Sequence, residues 1–228
     1  MRSTIAAAAA CLVLAACAIA RAQVPPPDPT APDAAVPPAG SAAPAPVVPA
    51  RPSRAVGLPW GGRLRHGVQL PAAGPGWLTW DPIFEVSPNR PWRRWGTQAL
   101  IAVVERVLGE YQAAHSDLPP VLVGDLSRPH GGIFDRRFGG LGHASHQNGR
   151  DADIYYPRRD RAPLAAFRPR RVDHGLAQEL VDRFVAAGAQ FVFVGPHTHL
   201  RGPRRIVQVL AHHDDHLHVR IFDPDRVR

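Results

Sequence analysis

The chain has 228 residues and a formal net charge of +8, with 45% hydrophobic and 20% charged residues, enough for one domain of ordinary size beside less regular segments. All 27 basic residues are arginine and the only cysteines are Cys11 and Cys17. This excludes a serine acyl-transfer site of the S-x-x-K type, and beyond residue 17 it excludes both a cysteine nucleophile and a disulfide staple.

Arg2 precedes the apolar run Ile5 to Ala16, which is too short for a comfortable membrane span and reads as an export signal over residues 1–22. Two processing sites compete within it. Leu14-Ala15-Ala16-Cys17 matches a bacterial lipoprotein signal that would leave Cys17 as a lipid anchor, and Ala20-Arg21-Ala22 fits an A-x-A site before Gln23. Residues 23–53 collapse to Pro, Ala and Val without hydrophobic periodicity and read as a disordered linker. In polyproline geometry, at about 3 Å per residue, it could hold a domain up to roughly 100 Å from an anchor. The domain proper is expected over 54–228.

That domain begins with a loop-rich stretch punctuated by Trp60-Gly61-Gly62, Pro71 to Gly76 and Pro88 to Pro91, whose Trp77, Trp80, Trp92 and Trp95 can line a cleft or, as expected here, pack on the core. Thr97 then caps an amphipathic helix with Leu100, Val103, Val104, Val107, Leu108 and Tyr111 on one face, ending before Pro119-Pro120. Val121-Leu122-Val123 is a short buried strand leading to Gly124-Asp125-Leu126-Ser127-Arg128. Asp151, Asp153 and Tyr155 alternate with Ala152 and Ile154 as in a half-buried strand, entered through the Asn148-Gly149 turn. A second helix runs from Asp173 to a stop at Gly188, followed by strands at 191–194 and 206–210. Near the end, Leu217, Val219 and Ile221 alternate with His216, His218 and Arg220, so a strand there puts both histidines on one face. The fold class is α+β, a mainly antiparallel central sheet with flanking helices and long loops.

His146 and Asp153 can meet His216 and His218 across paired strands. Two imidazoles and a carboxylate would leave a tetrahedral zinc with an open position, as in a catalytic rather than a structural site. Without G-x-S-x-G or H-E-x-x-H, metal-activated water is the hydrolytic route these residues can assemble. We read His146, Asp153 and His218 as ligands of one zinc per chain and His216 as the general base. His143 and His213, each three residues before a motif histidine, are candidates to stabilise an oxyanion. Asp151 shares the strand face of Asp153 and can orient an imidazole. His197-Thr198-His199 follows Gly195-Pro196 without strand alternation and reads as a loop.

Gly142-His143-Ala144-Ser145-His146-Gln147 with Asp151 and Asp153, Gly124 to Ser127 upstream and His213 to Arg220 downstream together resemble the penicillin-insensitive murein endopeptidases. These belong to the wider group of lysostaphin-type, D-Ala-D-Ala and hedgehog-like zinc peptidases. The resemblance covers roughly residues 61–221 and implies a zinc site in which His146, Asp153 and the second histidine of the H-x-H, His218, are ligands and His216 is catalytic. It also implies that the end of the Val121 strand faces the site, which brings in Ser127 and Arg128, the latter as a possible partner of a substrate carboxylate. The implied activity is hydrolysis of peptide cross-links in peptidoglycan, most simply the D-Ala to meso-diaminopimelate amide, in the periplasm or cell envelope, and indifference to penicillin. A D,D-carboxypeptidase on the same scaffold and a wall-binding protein without catalysis are the alternatives; a non-haem iron oxygenase uses similar ligands at a closer spacing than is present. Better-known members carry cysteines paired as disulfides, and the domain here has none. The positive charge suits an anionic partner such as peptidoglycan; nucleic acid is not expected, given the export signal and the lack of any recognisable nucleic-acid module.

Overall fold

The computed structural model describes residues 51–138 and 142–225; the expected signal and the linker up to residue 50 lie outside them. Eleven strands and two α-helices follow one another in the order β1 (Arg54–Leu58), β2 (Gly61–Arg65), β3 (Val68–Gln69), β4 (Ala73–Gly74), β5 (Trp77–Thr79), β6 (Trp95–Gly96), α1 (Gln98–Ala114), β7 (Val121–Val123), β8 (Asp151–Tyr155), α2 (His174–Ala186), β9 (Phe191–Val194), β10 (Val207–Val209) and β11 (His216–Arg220). Seven strands form the central sheet in the order β10-β9-β11-β8-β7-β5-β4. Only β10/β9 and β5/β7 are parallel, so the sheet is mainly antiparallel as expected.

Both helices form where capping chemistry and an apolar stripe coincide. Thr97 Oγ1 accepts the Leu100 N–H at 3.2 Å at the start of α1, and Asp173 Oδ1 accepts the Leu176 N–H at 3.2 Å at the start of α2. Leu100, Val104, Leu108 and Tyr111 of α1 and Leu180, Val181 and Phe184 of α2 are buried against Ala152, Ile154, Val192, Val194, Leu217 and Val219 of the sheet. Thr97→Ala should cost about 1 kcal/mol of folding free energy, read as a lower urea midpoint at unchanged slope. Thr97 also donates its backbone N–H to the Gly149 carbonyl at 2.8 Å, fastening the head of α1 to the loop that enters β8.

The region expected to be loop-rich is more regular than its sequence suggests. β1 and β2 form an antiparallel hairpin closed between Leu58 and Gly61. Only Ala55 and Leu64 of its ten residues are buried, so the alternation that marks a strand is almost absent. Trp77 and Trp80 are packed in the interior, whereas Trp92 and Trp95 are only partly covered. Among the described residues no helix is long and apolar enough to cross a membrane.

Candidate active site

One face of β8 and β11 carries apolar side chains into the core; the other carries Asp151 and Asp153 beside His216, His218 and Arg220. The antiparallel register sets His218 directly opposite Asp153, Arg220 opposite Asp151 and His216 opposite Tyr155. His146 arrives from the loop before β8 in a left-handed conformation, φ 64°, which is uncommon for a side-chain-bearing residue. Two contacts hold it there: Asp151 Oδ2 accepts its backbone N–H at 3.2 Å, and the carbonyl of Leu126, three residues past β7, lies 2.5 Å from its Nδ1. Gly149, at φ 76°, completes the turn; a Cβ there would come within 2.7 Å of the Leu64 side chain.

The hydrogen bonds decide which ring nitrogens face inward. A carbonyl can only accept, so His146 Nδ1 carries the proton and Nε2 presents a lone pair. His218 Nε2 lies 2.9 Å from Asp151 Oδ1, so it donates to that carboxylate and turns the Nδ1 lone pair inward. The two inward nitrogens are 3.3 Å apart, and each lies 3.3 Å from Asp153 Oδ1. That oxygen is buried and has no hydrogen-bond partner. With both rings neutral, three electron pairs converge here and repel unless a positive species, a second proton on His218 or a metal ion, sits among them. Ligands bound tetrahedrally to zinc at about 2.0–2.2 Å stand roughly 3.3–3.5 Å apart, which is the spacing of this triangle.

More imidazoles ring the triangle. His143, His146 and Asp153 also offer ligand atoms within 4.8 Å of one another and could hold a metal ion. His143 Nε2, however, lies 2.7 Å from Asp125 Oδ2, while its Nδ1 stands 3.8 Å from Asp153 Oδ2, which makes the triangle through His218 the tighter set. His216 points Nδ1 at Asp215 Oδ1, 2.7 Å away, and Nε2 towards Asp153 Oδ1 at 3.6 Å. His213 gives its Nδ1 proton to the Ala211 carbonyl at 2.8 Å and stacks obliquely 4.9 Å from the His216 ring. Ser127 is fully buried and its backbone pairs with Trp95, so it can support the strand end but cannot touch a substrate. Arg128 donates from Nη1 to the Ile133 carbonyl at 2.8 Å. The second H-x-H lies in the loop after β9, where His197 binds Asp214 at 2.7 Å, outside the triangle.

A family model described as penicillin-insensitive murein endopeptidase matches residues 55–187. The chain belongs to that family. Murein endopeptidases are hydrolases of the cell wall and so proteins of the cell envelope. The matched span holds both helices, His143, His146, Asp151 and Asp153, and ends before β11 with His216 and His218. No curated protein matches the chain.

The charges favour a positive species at the centre. Burial penalises the Asp153 carboxylate, but His146 and His216 outweigh it and hold its pKa well below the usual range. Asp151 behaves likewise, with His218 and Arg220 overcoming burial. Burial pulls His218 down, yet the carboxylates of Asp151 and Asp153 raise it to about 9. In His146 burial prevails over Asp153 and lowers the pKa, keeping the imidazole neutral as a metal ligand must be. Burial, aided by His216, brings His213 down to about 4; neutral and with Nδ1–H already given to Ala211, it has only an acceptor to offer. His143 likewise gives its Nε2 proton to Asp125, so it could meet an oxyanion only as an imidazolium, with a second proton on Nδ1.

Several contributors escaped the sequence. Arg93, fully buried, grips Asp125 with Nε at 2.6 Å from Oδ1 and Nη2 on Oδ2, and Asn89 Nδ2 adds a bond of 3.0 Å, so the carboxylate behind His143 is fixed. Arg220 Nε lies 2.6 Å from Asp151 Oδ1, behind His218. Nothing in the local sequence Pro91-Trp92-Arg93-Arg94 shows that Arg93 points inward. The Leu126 carbonyl that orients His146 is a backbone atom without a side-chain signature.

Proposed function

We propose that the chain is a zinc-dependent endopeptidase that hydrolyses peptide cross-links of peptidoglycan, cutting the D-Ala to meso-diaminopimelate amide. The observation that carries this is the buried triangle of His146 Nε2, His218 Nδ1 and Asp153 Oδ1, with 3.3 Å edges and a carboxylate oxygen that makes no hydrogen bond within the protein. These three atoms would hold the ion. A zinc with one open position would acidify a bound water to a pKa near ~7 and polarise the scissile carbonyl.

The chain's own groups do the rest. In the neutral His216 ring Nδ1 donates to Asp215 and Nε2 carries the lone pair, placed to take a proton from the attacking water and return it to the leaving amine. His143, steadied by Asp125 and Arg93, stands on the other side of Asp153, where as an imidazolium it can meet the carbonyl oxygen. Asp151 and the Leu126 carbonyl fix the tautomers of His218 and His146. Penicillin has no serine to acylate in such a site. In the cell, residues 1–22 would act as the export signal and 23–53 as the linker of a peptidase domain over 54–228, with Cys17 as a possible lipid anchor.

Chelation of the purified protein should abolish release of soluble muropeptides from sacculi, and added zinc should restore it. Chromatography of the products distinguishes cross-link cleavage from removal of terminal D-Ala. Undiminished release after chelation would overturn the proposal. Asp151→Asn, which weakens the orientation of His218, should lower zinc affinity by about 10–100-fold in a competitive chelator titration.

A further inference from the structure

We propose that a basic groove beside the active site binds carboxylates of wall stem peptides other than the peptide bond being cut. Three adjoining hollows of about 670, 760 and 370 Å³ share walls through Arg63, Arg128 and His130. Arg65, Arg137 and His66 complete a lining of four arginines and two histidines in which no aspartate or glutamate takes part. Asp135 pairs with Arg137 at 2.8 Å, so the excess positive charge lies on the side of Arg63 and Arg65. Trp92 and Trp95 give the groove apolar walls against which a peptide backbone can lie.

The groove is joined to the catalytic face by two short connections. Gln147 lines it immediately after His146, and Gly132 in its wall donates to the Gln147 carbonyl at 2.8 Å. Ile133 lines it as well, and the next residue, Phe134, lies 4.9 Å from the His143 ring and 5.7 Å from the Trp92 ring. A cross-linked substrate that puts one peptide at the triangle can lead its continuation over this adjoining surface. Guanidinium forks match carboxylates two bonds at a time, and several weak sites spaced along a groove suit a polymer that repeats its carboxylates. The proposal deepens the endopeptidase function and rests on it for the identity of the ligand.

The test uses the full chain and sacculi freed of phosphate polymers with hydrofluoric acid. Binding is measured by co-sedimentation in the cold with a chelator present, and cleavage separately with zinc. The double variant Arg63→Glu/Arg65→Glu should bind about tenfold more weakly at low salt, a difference that shrinks as salt screens it. The neutral pair Arg63→Gln/Arg65→Gln, a milder change should the hairpin fail to tolerate glutamate, should lose about threefold. The control Arg204→Glu/Arg205→Glu reverses two exposed charges before β10, away from the groove, and should keep wild-type binding to within about twofold. Amidating the sacculus carboxylates should weaken wild-type binding by about tenfold. Equal losses in groove and control variants, no loss in either groove variant, or undiminished binding to amidated sacculi would each overturn the groove. Groove-dependent binding without zinc-dependent cleavage would support the groove and sink the peptidase, whereas cleavage with groove-independent binding would do the reverse.

Discussion

Replacing His216 by alanine lowers kcat for sacculus hydrolysis by about 10²–10⁴-fold while the protein keeps one zinc per chain. Both halves follow from where the side chain stands. Its Nε2 is 3.6 Å from Asp153 Oδ1, beside the three convergent atoms but not one of them, so its loss leaves the proposed ligands intact. Its Nδ1 is tied to Asp215, which leaves Nε2 as the acceptor for a proton. Burial would lower its pKa, but Asp153 and Asp215 raise it above the ordinary histidine value. A base acts only when unprotonated, so wild-type kcat should fall on acidification and the variant should lose that acidic limb. Metal analysis beside kinetics decides the matter: loss of zinc along with activity would make His216 a ligand, and wild-type kcat would remove it from the reaction.

Arg93→Ala should destabilise the fold by about 3–5 kcal/mol at pH 7, the cost of leaving a buried charge without its partner. Both side chains are almost wholly inaccessible, and the guanidinium meets the Asp125 carboxylate at both oxygens. Burial opposes the ionised Asp125, and bonds from His143 and Arg93 reverse this, holding its pKa below the usual carboxylate range. The native state thus binds fewer protons at this position than the unfolded chain, so the contribution is complete above an unfolded pKa near ~3.9 and is lost as pH falls from there through the lower folded value. The gap between wild type and variant should accordingly be full at pH 7 and narrow in acid, where the orphaned carboxyl can take a proton. Urea unfolding at the two pH values measures this; equal midpoints at pH 7 would show that Asn89 and His143 suffice to hold Asp125.

The helices and the long strands were legible because each repeats a chemical period. Thr97 and Asp173 announce the helix starts, and the alternation around Asp153 and His218 announces two strands with one polar face. The β1–β2 hairpin was not legible, since with two buried residues it has almost no apolar period. The same limit hid Arg93, whose burial depends on Asp125, 32 positions away. Local patterning records which face of an element is apolar; it does not record which distant group neutralises an inward charge.

The order of residue types by itself determined the family, the α+β class and the set of side chains able to carry metal chemistry, because periodicity and motif spacing are properties of the chain. Tertiary structure decided which atoms of that set converge. His146 and His218 are 72 positions apart, and their inward nitrogens are chosen by the Leu126 carbonyl and Asp151, partners that exist only once β7, β8 and β11 lie side by side. Directional bonds of this kind act over about 3 Å, so they cannot be read until the fold has closed those distances.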